Sequence, residues 1–262
     1  MNIRFRATAA VAIALAAVSF FTFPMPVYYL PDDNYSILPN PEDAEISGLI
    51  AVSTDLHPDR TLLAYSNGMF PWFEDKGHFF WFTPDPRFVI FPSEIKVHKS
   101  MRSIFNQGKF RYSLDTHFDA VMQACASAPR NEIGPINTWI NDGFLDTYTT
   151  LHARGFAHSI EVWQDDELVG GLYGISMGKI FYGESMFARV PNASKAGFIT
   201  LVQALKKAGF WLVDCQVETP HLVSLGARGI SRPEFYDFLA KNSQETTLQG
   251  HWAFDEEKGI TL

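Results

Sequence analysis

Two short stretches decide the fold that this sequence predicts: Phe181-Tyr-Gly-Glu-Ser-Met-Phe187 and Asp214-Cys-Gln216. Each is apolar enough for a buried strand, yet each carries polar side chains that packing does not require. Residues 192–208 lie between them and have the length and apolar spacing of one helix. The order strand, helix, strand predicts a βαβ unit whose two strands lie parallel in one sheet.

The residues upstream predict an antiparallel meander. Its three strands are expected at 158–163, 168–177 and 180–187. Tight turns at Asp165-Asp166 and Gly178-Lys179 separate them. A meander, a crossover helix and a further strand resemble the core of the acetyl-CoA-dependent N-acetyltransferase fold. We therefore predict an α+β protein with a smaller N-terminal α/β domain at 25–115 and an N-acetyltransferase-like domain at 116–262.

Coenzyme A itself is disfavoured by the turn ahead of the helix. Backbone amides at a helix N-terminus bind pyrophosphate, but this turn reads Arg189-Val-Pro-Asn-Ala-Ser194, and Pro191 has no amide proton to donate. The sequence also lacks a Walker loop and a GxGxxG motif. Eight dispersed histidines, with Cys125 and Cys215 in no ligand spacing, predict no metal site.

The polar residues of the βαβ unit have two interpretations. Side chains alternate along a strand, so Asp214 and Gln216 are expected on one side of the sheet. Glu184 is expected to share a face with Tyr182 and Met186, and Gly183 permits a bulge that re-aims it. Buried carboxylates are paired, hydrogen-bonded or functional. They form either a structural network, bonded to backbone or to arginine, or a catalytic cluster.

A run of basic residues precedes the predicted second domain. Residues 96–111 contain no acid and five cations: Lys96, Lys99, Arg102, Lys109 and Arg111. They form either a solvated helix face or a surface that contacts phosphates. The net charge of −8 for 262 residues argues against general coating of nucleic acid and leaves a local basic surface open.

The first 24 residues differ from the rest. Arg4 and Arg6 precede a 17-residue apolar run, which is typical of a signal peptide or short anchor. No small-x-small cleavage site follows. The alternative is that Met25 is the true start.

Nine motifs in order carry a family resemblance. They are Phe70-Pro-Trp-Phe73, Trp81-Phe-Thr-Pro-Asp-Pro-Arg87, Thr138-Trp-Ile140, His158-Ser-Ile-Glu-Val-Trp163, Leu168-Val-Gly-Gly-Leu-Tyr-Gly174, Gly183-Glu-Ser-Met-Phe187, Asn192-Ala-Ser-Lys195, Asp214-Cys-Gln216 and Ser224-Leu-Gly226. Together they resemble the bacterial leucyl/phenylalanyl-tRNA–protein transferases, from about Val27 to Leu239. Val52-Ser-Thr-Asp55 departs from the family's Gly-Gly-Asp. The apolar N-terminus is not a family feature, and the final twenty residues add nothing to the resemblance. Val27-Tyr-Tyr-Leu30 resembles a usual beginning of the family, and for this reason we favour Met25 as the true start.

The resemblance implies an enzyme that moves Leu or Phe from aminoacyl-tRNA to the α-amino group of proteins beginning with Arg or Lys. The product is marked for degradation. No cofactor is expected, because the aminoacyl ester is already activated. The resemblance also implies a cytoplasmic monomer without a stable membrane partner, whereas a real signal in residues 1–24 would make the protein tethered or exported.

The resemblance assigns roles to particular residues. Asp214 would orient the incoming amine and help to remove its proton, Gln216 would hold that geometry, and Glu184 would contact the tRNA ribose or the basic acceptor. Five residues would line an apolar slot for the Leu or Phe side chain: Leu172, Phe181, Met186, Phe198 and Leu201. Three aromatics would pack against the terminal adenosine: Tyr65, Trp72 and Trp139. The five cations of residues 96–111, here called the basic surface, would contact the acceptor stem.

Two other functions stay open. One is a non-catalytic module that binds basic N-termini through Asp214 and Glu184. The other is a different acyltransferase of the same fold.

Overall fold

The computed structural model describes residues 27–128 and 140–262, which form helices and mixed sheets. The strands are β1 (Tyr28–Tyr29), β2 (Leu49–Ser53), β3 (Phe70–Asp75), β4 (His78–Phe82), β5 (Arg87–Ile90), β6 (Arg111–Leu114), β7 (Ala157–Gln164), β8 (Glu167–Met177), β9 (Ile180–Ala188), β10 (Leu212–Gln216), β11 (Arg228–Ile230), β12 (Ala253–Asp255) and β13 (Gly259–Thr261). The α-helices are α1 (Pro58–Ser66), α2 (Lys99–Asn106), α3 (Phe118–Ser127), α4 (Asp142–Ala153), α5 (Ala193–Lys207), α6 (Pro220–Ser224) and α7 (Arg232–Asn242). The predicted α+β class is confirmed.

A seven-stranded sheet organises the described residues, in the order β11-β5-β10-β9-β8-β7-β6. The meander β7-β8-β9 is antiparallel, and β10 returns through α5 to lie parallel to β9, so the predicted meander and βαβ unit are confirmed. The tight turns between these strands form because Asp165 and Gly178 take left-handed backbone angles, with φ of 53° and 57°. The parallel pair lies near the middle of the sheet.

A smaller sheet, in the order β1-β2-β4-β3, packs against one face of the large one. The expected division at residue 115 does not follow the edge of the large sheet, because β5 and β6 precede that residue and pair with β10 and β7. Whether 25–115 is a separate domain stays a prediction. The smaller sheet and the large sheet share one apolar core.

A second apolar core lies on the other face of the large sheet, under α5. The stripe predicted for this helix is buried there, with Phe198, Leu201 and Leu205 at most 3% exposed. Gly197 allows close packing, since a Cβ at this position would lie 2.6 Å from a methyl group of Val162. The crossover helix therefore fits closely onto the meander.

The residues after Lys241, where the sequence pattern predicts no strand, are nevertheless part of the fold. They form the hairpin β12-β13 and bury Trp252 completely. The Trp252 ring stacks on His158 with centroids 3.6 Å apart, and its backbone amide donates to Asp115 Oδ2 at 2.7 Å. A single tryptophan in a polar stretch is a weak pattern, and its burial depends on distant residues.

Among the residues that the structure describes, no helix is long and apolar enough to cross a membrane. The apolar segment 1–24, expected to be an extension or a signal-like segment, lies outside the described residues.

Trp252→Ala is expected to lower the free energy of unfolding by about 3–5 kcal/mol, because truncating a wholly buried aromatic side chain leaves a cavity. Urea unfolding measures the loss. Phe254→Ala in the same hairpin is the control, since Phe254 is 38% exposed, and its loss is expected to stay under about 1 kcal/mol. Equal losses in the two variants would contradict the burial of this segment.

Candidate active site

A β-bulge on β9 places Glu184. Tyr173 of β8 pairs with Ser185, and Gly174 pairs with Gly183, so Glu184 is the extra residue of the ladder. The bulge that Gly183 was predicted to permit is confirmed. One extra residue reverses the alternation beyond it. The expectation that Met186 shares a face with Glu184 is therefore wrong, because Met186 packs into the core under α5.

Three donors surround the Glu184 carboxylate. The Tyr65 hydroxyl donates to Oε1 at 2.6 Å, the Gln216 amide donates to Oε1 at 3.0 Å, and the Tyr148 hydroxyl donates to Oε2 at 3.0 Å. The hydroxyls of Tyr65 and Tyr148 also lie 2.8 Å apart. Tyr65 comes from α1 and Tyr148 from α4, so two helices fix the carboxylate from one side.

Burial raises the pKa of Glu184 to about 7. Hydrogen bonds from Tyr65 and Tyr148 oppose the rise, while the negative charge of Asp214 adds to it. Burial also raises the pKa of both tyrosines well above the usual range, so they stay protonated and donate. Glu184 can therefore take or release a proton near neutral pH.

Asp214 forms a buried ion pair with Arg87 of β5. The guanidinium Nε lies 2.9 Å from Oδ1 and 3.1 Å from Oδ2, and Nη2 lies 2.7 Å from Oδ2. Neither side chain is more than 1% exposed. Of the two interpretations of the buried carboxylates, the structural network bonded to arginine thus fits Asp214.

Gln216 joins Asp214 to Glu184. Its backbone N–H donates to Asp214 Oδ1 at 2.9 Å, and its side-chain amide reaches Glu184. The β5–β10 register contains a bulge at Cys215, and Gln216 takes φ of 65°. Asp214 and Gln216 meet through this distortion and not through the regular alternation that the sequence suggested.

The site lies where the two parallel strands separate. The β9–β10 ladder ends at the pair Tyr182 and Asp214, and Glu184 and Gln216 come just beyond it. Their side-chain hydrogen bond spans the gap that the ladder leaves. The three predicted catalytic residues are therefore in contact as a chain, and their roles stay predictions.

The five residues predicted to line the apolar slot all belong to the core on the opposite face of the sheet: Leu172, Phe181, Met186, Phe198 and Leu201. Leu172 and Met186 are directly paired across β8 and β9. Four of the five are fully buried, and Met186 is half-buried. Their function as a slot stays a prediction.

The three aromatics predicted for adenosine have different positions. Tyr65 is buried, and its ring centroid lies 4.9 Å from that of Tyr182. Since its hydroxyl donates to Glu184, this position favours a role in holding Glu184. Trp72 is half-buried on β3, 4.8 Å from the Phe82 ring. Trp139 lies outside the described residues.

All five cations of the basic surface are exposed. Lys99 and Arg102 lie on α2, which buries Met101 on its other face. No carboxylate in residues 27–128 or 140–262 lies within 4 Å of any of the five cationic groups. Their charges therefore face solvent and are open to a polyanion.

Sequence reasoning missed Arg87 and Tyr148. A buried carboxylate needs a partner, but nothing local says which arginine supplies it. Tyr148 lies on the buried side of α4, and a tyrosine on the apolar side of a helix does not by itself indicate which carboxylate it binds. The described parts of the chain contain no group of three or more His, Cys, Asp or Glu side chains that could hold a metal ion.

Comparison with known proteins decides the family. The family model described as leucyl/phenylalanyl-tRNA protein transferase matches residues 89–240, and the model for its N-terminal domain matches residues 54–85. A protein of Myxococcus xanthus named leucyl/phenylalanyl-tRNA–protein transferase is 44% identical over 87% of this chain and 97% of its own length. The chain belongs to the leucyl/phenylalanyl-tRNA–protein transferase family.

Further family members give the same result. The Pseudomonas fluorescens protein of this name is 53% identical over 75% of this chain and 85% of its own length, and the Nitrosospira multiformis protein is 47% identical over 81% and 90%. Likeness to the solved structure of L-PGS from Bacillus licheniformis is low, with a TM-score of 0.35, 12% identity and coverage of 65% of this chain and 54% of that one. The resemblance inferred from the nine motifs is confirmed.

The matched ranges include Glu184, Asp214 and Gln216, while Arg87 falls between the two ranges. The site therefore combines residues inside and outside the matched ranges.

Glu184→Gln is expected to change how stability depends on pH. The pKa of Glu184 is about 7 in the folded state against an ordinary 4.5, so folding takes up a proton between these values. The wild type should therefore lose stability as pH rises from about 4.5 to about 7, by up to about 3 kcal/mol. The variant should lack this component in urea unfolding at a series of pH values.

Glu167→Gln, at an exposed position of β8, is the control and should keep the wild-type dependence. Parallel stability curves for the wild type and Glu184→Gln would show that Glu184 does not titrate in this range.

Proposed function

We propose that this chain is an aminoacyltransferase that moves Leu or Phe from aminoacyl-tRNA to the α-amino group of proteins beginning with Arg or Lys. Family membership supports this, and the observation that carries the proposal is the contact between Glu184 and Gln216 beyond the end of the β9–β10 ladder. In the reaction, the amine nitrogen bonds to the ester carbonyl carbon and the bond to the ribose oxygen breaks. The amine loses a proton and the departing oxygen gains one.

The amine needs positioning more than a strong base. An N-terminal amine has a pKa near 8, so about a tenth is neutral at pH 7, and orientation against the ester supplies much of the acceleration. The Gln216 amide nitrogen donates to Glu184, which leaves the amide oxygen as the end that accepts a hydrogen bond from the amine. Gln216 would therefore orient the attacking nitrogen.

Glu184 is the proposed proton acceptor. Its pKa of about 7 lies near the operating pH, where general base catalysis is most efficient. Asp214 is wholly buried and its oxygens hold Arg87 and the Gln216 backbone amide, whereas Glu184 is half-buried. Asp214 would therefore act through Gln216 and through its charge.

The apolar slot and the basic surface would hold the other substrate. A slot lined by Leu172, Phe181 and Met186 accepts both Leu and Phe, because apolar pockets discriminate by only about 1–3 kcal/mol per methylene. The exposed basic surface would contact acceptor-stem phosphates, with Trp72 and Trp139 near the terminal adenosine. We also propose that the N-acetyltransferase-like core works as a monomer in the cytoplasm, where aminoacyl-tRNA is made, and that the product is marked for degradation.

Transfer is tested with labelled Leu-tRNA and a peptide that begins with Arg. We expect label on the peptide N-terminus, in a bond stable to mild alkali, which cleaves the ester. The same peptide with an acetylated N-terminus is the matched control and should stay unlabelled. Peptide binding without transfer would instead support the non-catalytic module, and label on another acceptor would support a different acyltransferase.

Lys99→Ala with Arg102→Ala is expected to weaken tRNA binding, because each residue is proposed to neutralise one phosphate. The slope of log affinity against log salt should fall by about 2, roughly one for each lost contact. Filter binding at several salt concentrations measures it. Lys76→Ala with Lys258→Ala removes two exposed lysines elsewhere and serves as the control. An unchanged slope in the first variant would mean that these cations do not face the RNA.

A further inference from the structure

The Arg87 guanidinium contacts two aromatic rings and a backbone carbonyl in addition to the carboxylate of Asp214. Its guanidinium carbon lies 4.7 Å from the Phe70 ring centroid and 4.8 Å from that of Phe235. The Nη1 atom donates to the Gly68 carbonyl at 3.1 Å, while Nε and Nη2 bind Asp214. The guanidinium is thus fixed by two rings, a backbone carbonyl and a carboxylate.

Asp214 connects the Arg87 guanidinium to Gln216 through hydrogen bonds. Asp214 Oδ1 accepts both from Arg87 Nε and from the Gln216 backbone N–H, each at 2.9 Å. The Gln216 backbone has φ of 65°, a conformation that non-glycine residues adopt only when surrounding contacts hold them. The contact from Asp214 is the one that holds this backbone amide.

We propose that Arg87 is a positioning residue for aminoacyl transfer. It fixes Asp214 so that Gln216 keeps its left-handed backbone and its side-chain amide stays at Glu184. The inference rests on the proposed function, and it assigns to that reaction a residue that touches neither substrate nor any reacting atom.

Stability alone does not account for such a pair. Removing two charges from water is costly, and buried ion pairs can often be replaced by apolar residues without loss of stability. What the pair provides is geometry, because the planar fork of arginine binds two carboxylate oxygens and a third acceptor together. Lysine would keep the charge at residue 87 and lose that fork.

Arg87→Lys is therefore the test. We expect kcat for transfer from Leu-tRNA to an Arg-starting peptide to fall at least about tenfold, with KM for both substrates within about twofold. Arg228→Lys, on the paired strand β11, is the matched control, since Arg228 also lies over a ring, that of Phe91, at 4.4 Å. Its kcat should stay within about twofold of the wild type.

Measuring Arg87→Lys in the Gln216→Ala variant distinguishes a positioning role of Arg87 from a general loss of structure. If Arg87 acts through the Gln216 side chain, Arg87→Lys should change kcat less than about twofold once Gln216→Ala is present. The same large loss in both backgrounds, or an unchanged kcat in the wild-type background, would overturn the proposal. Failure of the proposed function is distinct, because the wild type would then transfer nothing.

Phe235→Leu covers the case in which Arg87→Lys does not fold. It keeps the ion pair and removes one ring from the guanidinium. We expect kcat to fall about two- to fivefold in the wild-type background and to stay unchanged in the Gln216→Ala background. No effect in either background, or equal effects in both, would count against Arg87 as a positioning residue.

Discussion

The buried ion pair between Arg87 and Asp214 is the interaction on which the arrangement of the site depends. Arg87 starts β5, Asp214 ends the parallel ladder of β10, and Phe235 of α7 packs against the guanidinium. A charged pair in a low-dielectric interior tolerates little displacement, because each lost hydrogen bond leaves a buried charge uncompensated. The pair thus ties the smaller sheet and the C-terminal helix to the strand that carries Gln216.

Along β9, the side chains change from a polar cluster on one face of the large sheet to an apolar core on the other face. Glu184 and its tyrosine donors lie on the face shared with the smaller sheet, whereas Met186, two residues later, lies under α5. A regular strand would have placed both side chains on one face. The bulge at Glu184 therefore lets one strand serve a titratable cluster and an apolar core within three residues. An aminoacyl ester has the same division, since its polar carbonyl is one bond from the carbon that carries its side chain.

Sequence reasoning succeeded where the signal was local. Gly183 beside Glu184 predicted the bulge, and polar residues in short apolar runs predicted the central trio. It failed where the outcome depended on residues far away in the sequence, or on whether a strand contains one extra residue. The partner of Asp214 is 127 residues away, and nothing near Arg87 identifies it. The face of Met186 was wrong because the inserted residue reversed the alternation. The burial of Trp252 depends on Asp115 and His158, which no periodicity links to it.

Trp252 also bears on the order in which the molecule is completed. The ribosome makes the chain from the N-terminus and domains fold as they emerge, so Asp115, His158 and Phe181 are all synthesised before the indole that covers them. The imidazole of His158 and the ring of Phe181 therefore lack this covering side chain until residue 252 has been made. Such transiently exposed apolar surface is what chaperones bind. This core can therefore be completed only after residue 252 has been made, and a polypeptide terminated before it would leave that apolar surface uncovered.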